Sequence, residues 1–97
     1  MKVTVELLGF LADLAKGKSR FKMEIEAERP TVLTAVKVLG ERFGLELERN
    51  LVENLYGEVR KAVLILLNGV EVSVLSGLET PIGEGDKITF IPISSGG

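Results

Sequence analysis

The sequence predicts an α+β domain: a mixed sheet of about four to five strands, one main helix packed on one face, and a short second helical segment. Three observations carry this reading. Apolar residues alternate with polar ones over Val3–Leu8, Phe21–Glu26 and Lys87–Phe90, the period-2 signature of half-buried strands. Between the first two strands and the later ones stands a 3.6-period apolar stripe with legible ends. Asn68-Gly69 then interrupts a second run of strand-forming residues.

Taken in order, Val3, Val5 and Leu7 share one face of the first strand, and Thr4, Glu6 and Leu8 the other. Leu11, Leu14 and Ala15 form at most one helical turn before Gly17 breaks it. In Phe21-Lys22-Met23-Glu24-Ile25-Glu26 the apolar members point inward, making a hairpin with a long connection. Pro30 ends that strand, and Thr31 is an N-cap whose hydroxyl can accept a free backbone N–H. Val32, Ala35, Val36, Leu39 and Phe43 follow at i, i+3, i+4, i+7 and i+11, and Gly44 closes the helix. Gly40, inside it, is unfavourable by about 1 kcal/mol against alanine and marks a close backbone approach.

A weaker stripe, Leu47, Leu51, Val52, Leu55 and Tyr56, predicts the second amphipathic segment, ended by Gly57. "KAVLILLNGVEVSV" reads as strand, turn, strand, since both central residues of a type I′ turn need positive φ. "GEGD" at Gly83–Asp86 lacks the phosphate-loop pattern and is a turn before the last strand. In that strand Ile88 and Phe90 share one face, Thr89 and Ile91 the other. After Pro92 the strand signal stops. The expected organisation is a single domain over 1–92 and a flexible tail over 93–97.

Composition removes several functions. Ninety-seven residues bound the chain to one domain. Cysteine and histidine are both absent, and with them disulfides, thiolate nucleophiles, the commonest metal ligands and the usual general base. The net charge is −2 and no Lys/Arg run exceeds two residues, so no nucleic-acid partner is expected. No apolar stretch approaches the ~18 residues that span a bilayer. The expectation is a cytoplasmic protein with no membrane partner and no bound cofactor or metal.

Two features stay unexplained by folding alone. Leu64 and Leu66 have the wrong parity: if Val63, Ile65 and Leu67 meet the helix, these two face the open side of the sheet, where polar residues are expected. Leu8 and Ile91 share the problem. Either the second segment over Leu45–Arg60 folds back over them, or a centrally placed strand is buried on both sides, or they form an exposed apolar patch for a partner protein. The other feature is the ending, Ser94-Ser95-Gly96-Gly97. At about 7% glycine usage a Gly-Gly terminus arises by chance roughly once in 200 chains. Glycine lacks a Cβ, so its carboxylate can thread a narrow tunnel, and five residues after Pro92 reach about 17 Å.

These residues carry a resemblance. "KVTVELLGFLADLAKG", "PTVLTAVKVLGERFG" and "LLNGVEV…LETPIGEGDKITFIPISSGG" resemble the MoaD-type small subunit of molybdopterin synthase, of the MoaD/ThiS superfamily of ubiquitin-like sulfur carriers, over all but Leu45–Arg60. The resemblance implies a β-grasp fold without catalytic side chains of its own. It implies that an E1-like enzyme uses ATP to adenylate the Gly97 carboxylate, which becomes a thiocarboxylate. It implies that a large synthase subunit, joined in a heterotetramer, receives the tail (Ser94, Ser95, Gly96, Gly97) and docks on a patch of Leu8, Leu64, Leu66 and Ile91, so that sulfur reaches a pterin precursor of the molybdenum or tungsten cofactor. A ThiS-like thiazole carrier, or a modifier that joins Gly97 to a target lysine, begins with the same acyl adenylate. The chain departs from the family pattern twice: Leu8-Gly9-Phe10-Leu11-Ala12-Asp13 replaces a Phe-Ala-x-x-Arg-Glu stretch, and Pro92-Ile93 replaces a proline pair.

Overall fold

The computed structural model describes residues 1–56 and 63–93, with side chains left aside for 53–56. The elements run β1 (Lys2–Leu7), α1 (Phe10–Leu14), β2 (Arg20–Glu24), α2 (Val32–Phe43), α3 (Leu45–Tyr56), β3 (Val63–Leu67), β4 (Val70–Glu71) and β5 (Lys87–Pro92). Short 3₁₀ turns at Val72–Val74 and Gly77–Glu79 connect β4 to β5. The strands form one sheet in the order β2-β1-β5-β3-β4. β1 and β5 at its centre are parallel, and the other pairings are antiparallel.

Alternation decides which face is covered. Val3, Val5, Leu7, Met23, Val63, Ile65, Ile88 and Phe90 are all buried, and they share one core with Leu11 of α1, with Val32, Ala35, Val36 and Leu39 of α2, and with Leu47 and Leu51 of α3. The helices therefore lie on one side of the sheet. A five-stranded mixed sheet grasping helices on one face is the expected ubiquitin-like β-grasp.

The local signals act as read. Thr31 caps α2: its hydroxyl accepts from Thr34 N–H, and Thr34 Oγ1 accepts from Thr31 N–H at 3.0 Å. Asn68 (φ 50°) and Gly69 (φ 85°) both take positive φ, as the hairpin turn requires. The Asn68 side chain also ties that turn to the approach of β5. Its Oδ1 accepts from Lys87 N–H at 2.9 Å and its Nδ2 donates to Asp86 Oδ1 at 3.0 Å. Asp86 Oδ2 accepts from Gly83 N–H at 2.7 Å, so the acidic loop is a turn, as expected.

Two elements differ from the reading. The strand after Asn68-Gly69 stops at Glu71 instead of running through Val74, because Val72 leaves the sheet in a 3₁₀ turn that buries it while Val74 stays exposed. The second helical segment is not short: α3 has 12 residues, as many as α2. The side chains of Leu55 and Tyr56, and Gly57, Arg60 and Ala62, lie outside the described residues.

Candidate functional site

α3 packs on α2 and sends Leu47 and Leu51 into the core, so this helix does not fold back over the open face. This removes α3 as a cover for Leu64 and Leu66; residues 57–60 of that segment lie outside the described residues. Both are half-buried, between the buried Val63, Ile65 and Leu67, and no described helix covers them.

Strand order then brings the predicted residues together. Leu64 pairs with Ile91 and Leu66 with Thr89 across β3 and β5. On the other side of β5, Leu7 pairs with Phe90, and Leu8 N–H donates to Phe90 O at 3.0 Å. Leu8 therefore stands beside Ile91. Leu8, Ile91 and Leu64 make an apolar row across the three central strands, with Leu66 one step behind. Leu8 is 41% exposed, and so is Ile93, at 42%, where the chain leaves the sheet. The row ends where the tail begins. Ser94, Ser95, Gly96 and Gly97 lie outside the described residues.

A polar rim adjoins the row. The Glu6 carboxylate accepts from Thr89 Oγ1 at 3.2 Å and faces Lys87 Nζ at 3.5 Å and Arg20 Nη1 at 3.6 Å. Arg20 and Lys87 are solvated, so these ion pairs contribute little stability and leave both cations available to a docking surface. Glu6 and Thr89 were readable by parity with Leu8 and Ile91. The position of Arg20 depends on the β1–β2 register, in which it pairs with Glu6. The titratable pair with shifted pKa values lies at the opposite end of β1. There the Met1 ammonium donates to Glu24 Oε2 at 2.7 Å, a hydrogen bond that raises the ammonium pKa and lowers that of the carboxylate.

A half-buried residue on the open face and a core residue of the same strand respond differently to charge. Leu66→Asp is expected to cost about 1 kcal/mol, part of it from standing opposite Glu71 on β4. Ile65→Asp, one residue away and 1% exposed, is expected to unfold the chain by burying an unpaired carboxylate. Urea denaturation of the two variants reads the difference. Equal losses would mean that Leu66 is core.

β5 ends at Pro92 beside this apolar row. The model of the ThiS family matches residues 5–97, from the middle of β1 through the final glycine. The chain belongs to the ThiS family. This places it among the ubiquitin-like sulfur carriers of the MoaD/ThiS type. A candidate sulfur carrier protein of Archaeoglobus fulgidus is 35% identical over 75 residues, 77% of this chain and 83% of that protein. The small archaeal modifier protein 1 of Methanosarcina acetivorans superposes with a TM-score of 0.74 at 26% identity, covering 99% of this chain and 96% of that one. A candidate molybdopterin converting factor subunit 1 of Pyrococcus furiosus gives a TM-score of 0.66 at 22% identity over 95% of this chain and 97% of that one, a likeness of fold.

Proposed function

We propose that this ThiS-family chain is the sulfur-carrying small subunit of a molybdopterin synthase. The observation that carries the proposal is the apolar row of Leu8, Ile91 and Leu64, which stops where β5 releases the chain toward Gly97. A partner docked on that row holds the tail within about 17 Å of Pro92. The chemistry begins with an α-carboxylate, a poor acyl donor until activated. An E1-like enzyme joins the Gly97 carboxylate to the α-phosphate of ATP and releases pyrophosphate. Hydrosulfide then attacks the acyl carbon, AMP leaves, and a thiocarboxylate remains. The large subunit takes that tail into its own site, where sulfur passes to the pterin precursor.

A second reading is favoured by the likeness to the Methanosarcina modifier protein: the same adenylate is captured by a lysine amine, and an isopeptide bond forms. Mass spectrometry of the protein from its native host separates the two. A gain equal to one oxygen-to-sulfur exchange at Gly97, transferable to a pterin precursor when the large subunit is added, is the expected result. Diglycine remnants on target lysines without that mass gain would transfer the assignment to modification, and sulfur delivered only to a thiazole precursor would transfer it to the thiamin pathway. Leu66→Asp is expected to weaken large-subunit binding about 30-fold, the loss of roughly 2 kcal/mol typical of a central apolar contact.

A further inference from the structure

The two stretches in which the sequence departs from its family pattern meet in space. β1 and β5 run parallel, so their C-terminal ends lie at the same edge of the sheet. Just past that edge, Gly9 adopts φ 57° and ψ −139°, a conformation essentially confined to glycine. A Cβ built on Gly9 would lie 3.0 Å from Pro92 Cγ and 3.8 Å from its Cδ. The proline ring therefore sits against the bare backbone of Gly9. On its other side Pro92 pairs with Val63 of β3. Pro92 is the last residue of β5 and Ile93 stands exposed after it.

The geometry points to Gly9 as a positioning residue that sets, through the Pro92 ring, the direction in which the chain leaves the sheet. This rests on the proposed delivery of Gly97 into a partner's active site. The proline has a fixed φ near −65°, and its ring against Gly9, together with the backbone pairing of Pro92 to Val63, keeps the take-off of residue 93 in one orientation. Misplacement of a reacting group by about 1 Å costs on the order of 10²-fold in rate. A fixed take-off also lowers the ordering entropy lost when the tail enters a tunnel.

The test uses the full chain with the E1-like enzyme of its host, ATP and labelled pyrophosphate, together with backbone 15N relaxation at Ile93. Pro92→Ala removes the ring and keeps the strand. It is expected to lower the heteronuclear NOE of Ile93 and to reduce pyrophosphate exchange about tenfold, an effect of the size expected for lost preorganisation. Competition by chains lacking Gly96 and Gly97 should be the same with or without the Pro92→Ala substitution, because the docking surface is untouched. Gly9→Ala, which strains this positive-φ backbone and sets a methyl against the ring, should also lower the Ile93 NOE and the exchange. If Gly9→Ala fails to fold, Pro92→Ala and the Ile93 relaxation decide. Wild-type exchange and NOE values in Pro92→Ala, or a wild-type Ile93 NOE in a folded Gly9→Ala, overturn the inference. A wild-type chain that supports no exchange overturns the proposed function instead, and the Ile93 relaxation still judges the seat.

Discussion

Appending one alanine after Gly97, or deleting Gly96 and Gly97, is expected to abolish charging by the activating enzyme while the melting temperature moves by no more than about 2 °C. The two halves of this result have separate causes. An added residue shifts the carboxylate by about 3.5 Å along the chain and puts a methyl group where none was. A shift larger than an ångström at a reacting centre costs at least about 10³-fold when the adjacent phosphate cannot follow. Stability is expected to be spared because burial in β5 ends before residue 93. Phe90 is the last fully buried residue of β5, and Ile93 already stands exposed. Pyrophosphate exchange and thermal melts on the same samples read both. Undiminished exchange from the blocked chain would end the carrier proposal, since charging would then not depend on the Gly97 carboxylate. A collapse in melting temperature would instead make the last residues part of the fold.

What the sequence made legible was local. Thr31 announces α2 because a capping hydroxyl and a periodic stripe are neighbours in the chain. Asn68-Gly69 announces a turn because positive φ is a property of those two residues. The alternation of Leu64 and Leu66 against Ile65 was readable for the same reason, and it located the apolar patch. Register and strand order were not readable. That Leu8, Ile91 and Leu64 form one row depends on the parallel β1–β5 pairing, a contact between residues some 80 positions apart whose partner no local pattern names. The early end of β4 was hidden because Val72 alternates as a strand residue should. Its burial beneath a 3₁₀ turn is a tertiary preference that outweighs that propensity. The seat of Pro92 on Gly9 was hidden too. Both positions were visible as departures from the family pattern, and only the fold shows that they touch.

Gly40→Leu is expected to destabilise the chain by about 3 kcal/mol or more, a fall of roughly 15 °C in melting temperature for a domain of this size. Replacing glycine inside a helix ordinarily gains up to about 1 kcal/mol of propensity, so the sign depends on what the new side chain meets. A Cβ on Gly40 would stand 2.8 Å from Glu48 Cβ, with Glu48 Oε1 nearer still. The carboxylate, which accepts from Lys37 Nζ at 3.1 Å, can swing away. Its Cβ can retreat only if α3 moves off α2, and that withdraws Leu47 and Leu51 from the core. Adding Glu48→Ala should therefore rescue little, because that variant keeps the Cβ, whereas Glu48→Gly should recover part of the loss. The experiment also bears on the docking face. α3 leaves Leu64 and Leu66 uncovered because it is held against α2 on the opposite side of the sheet. A neutral Gly40→Leu would mean that the two helices are not in contact there, and α3 would then be free to lie across the apolar row and close the surface assigned to the partner.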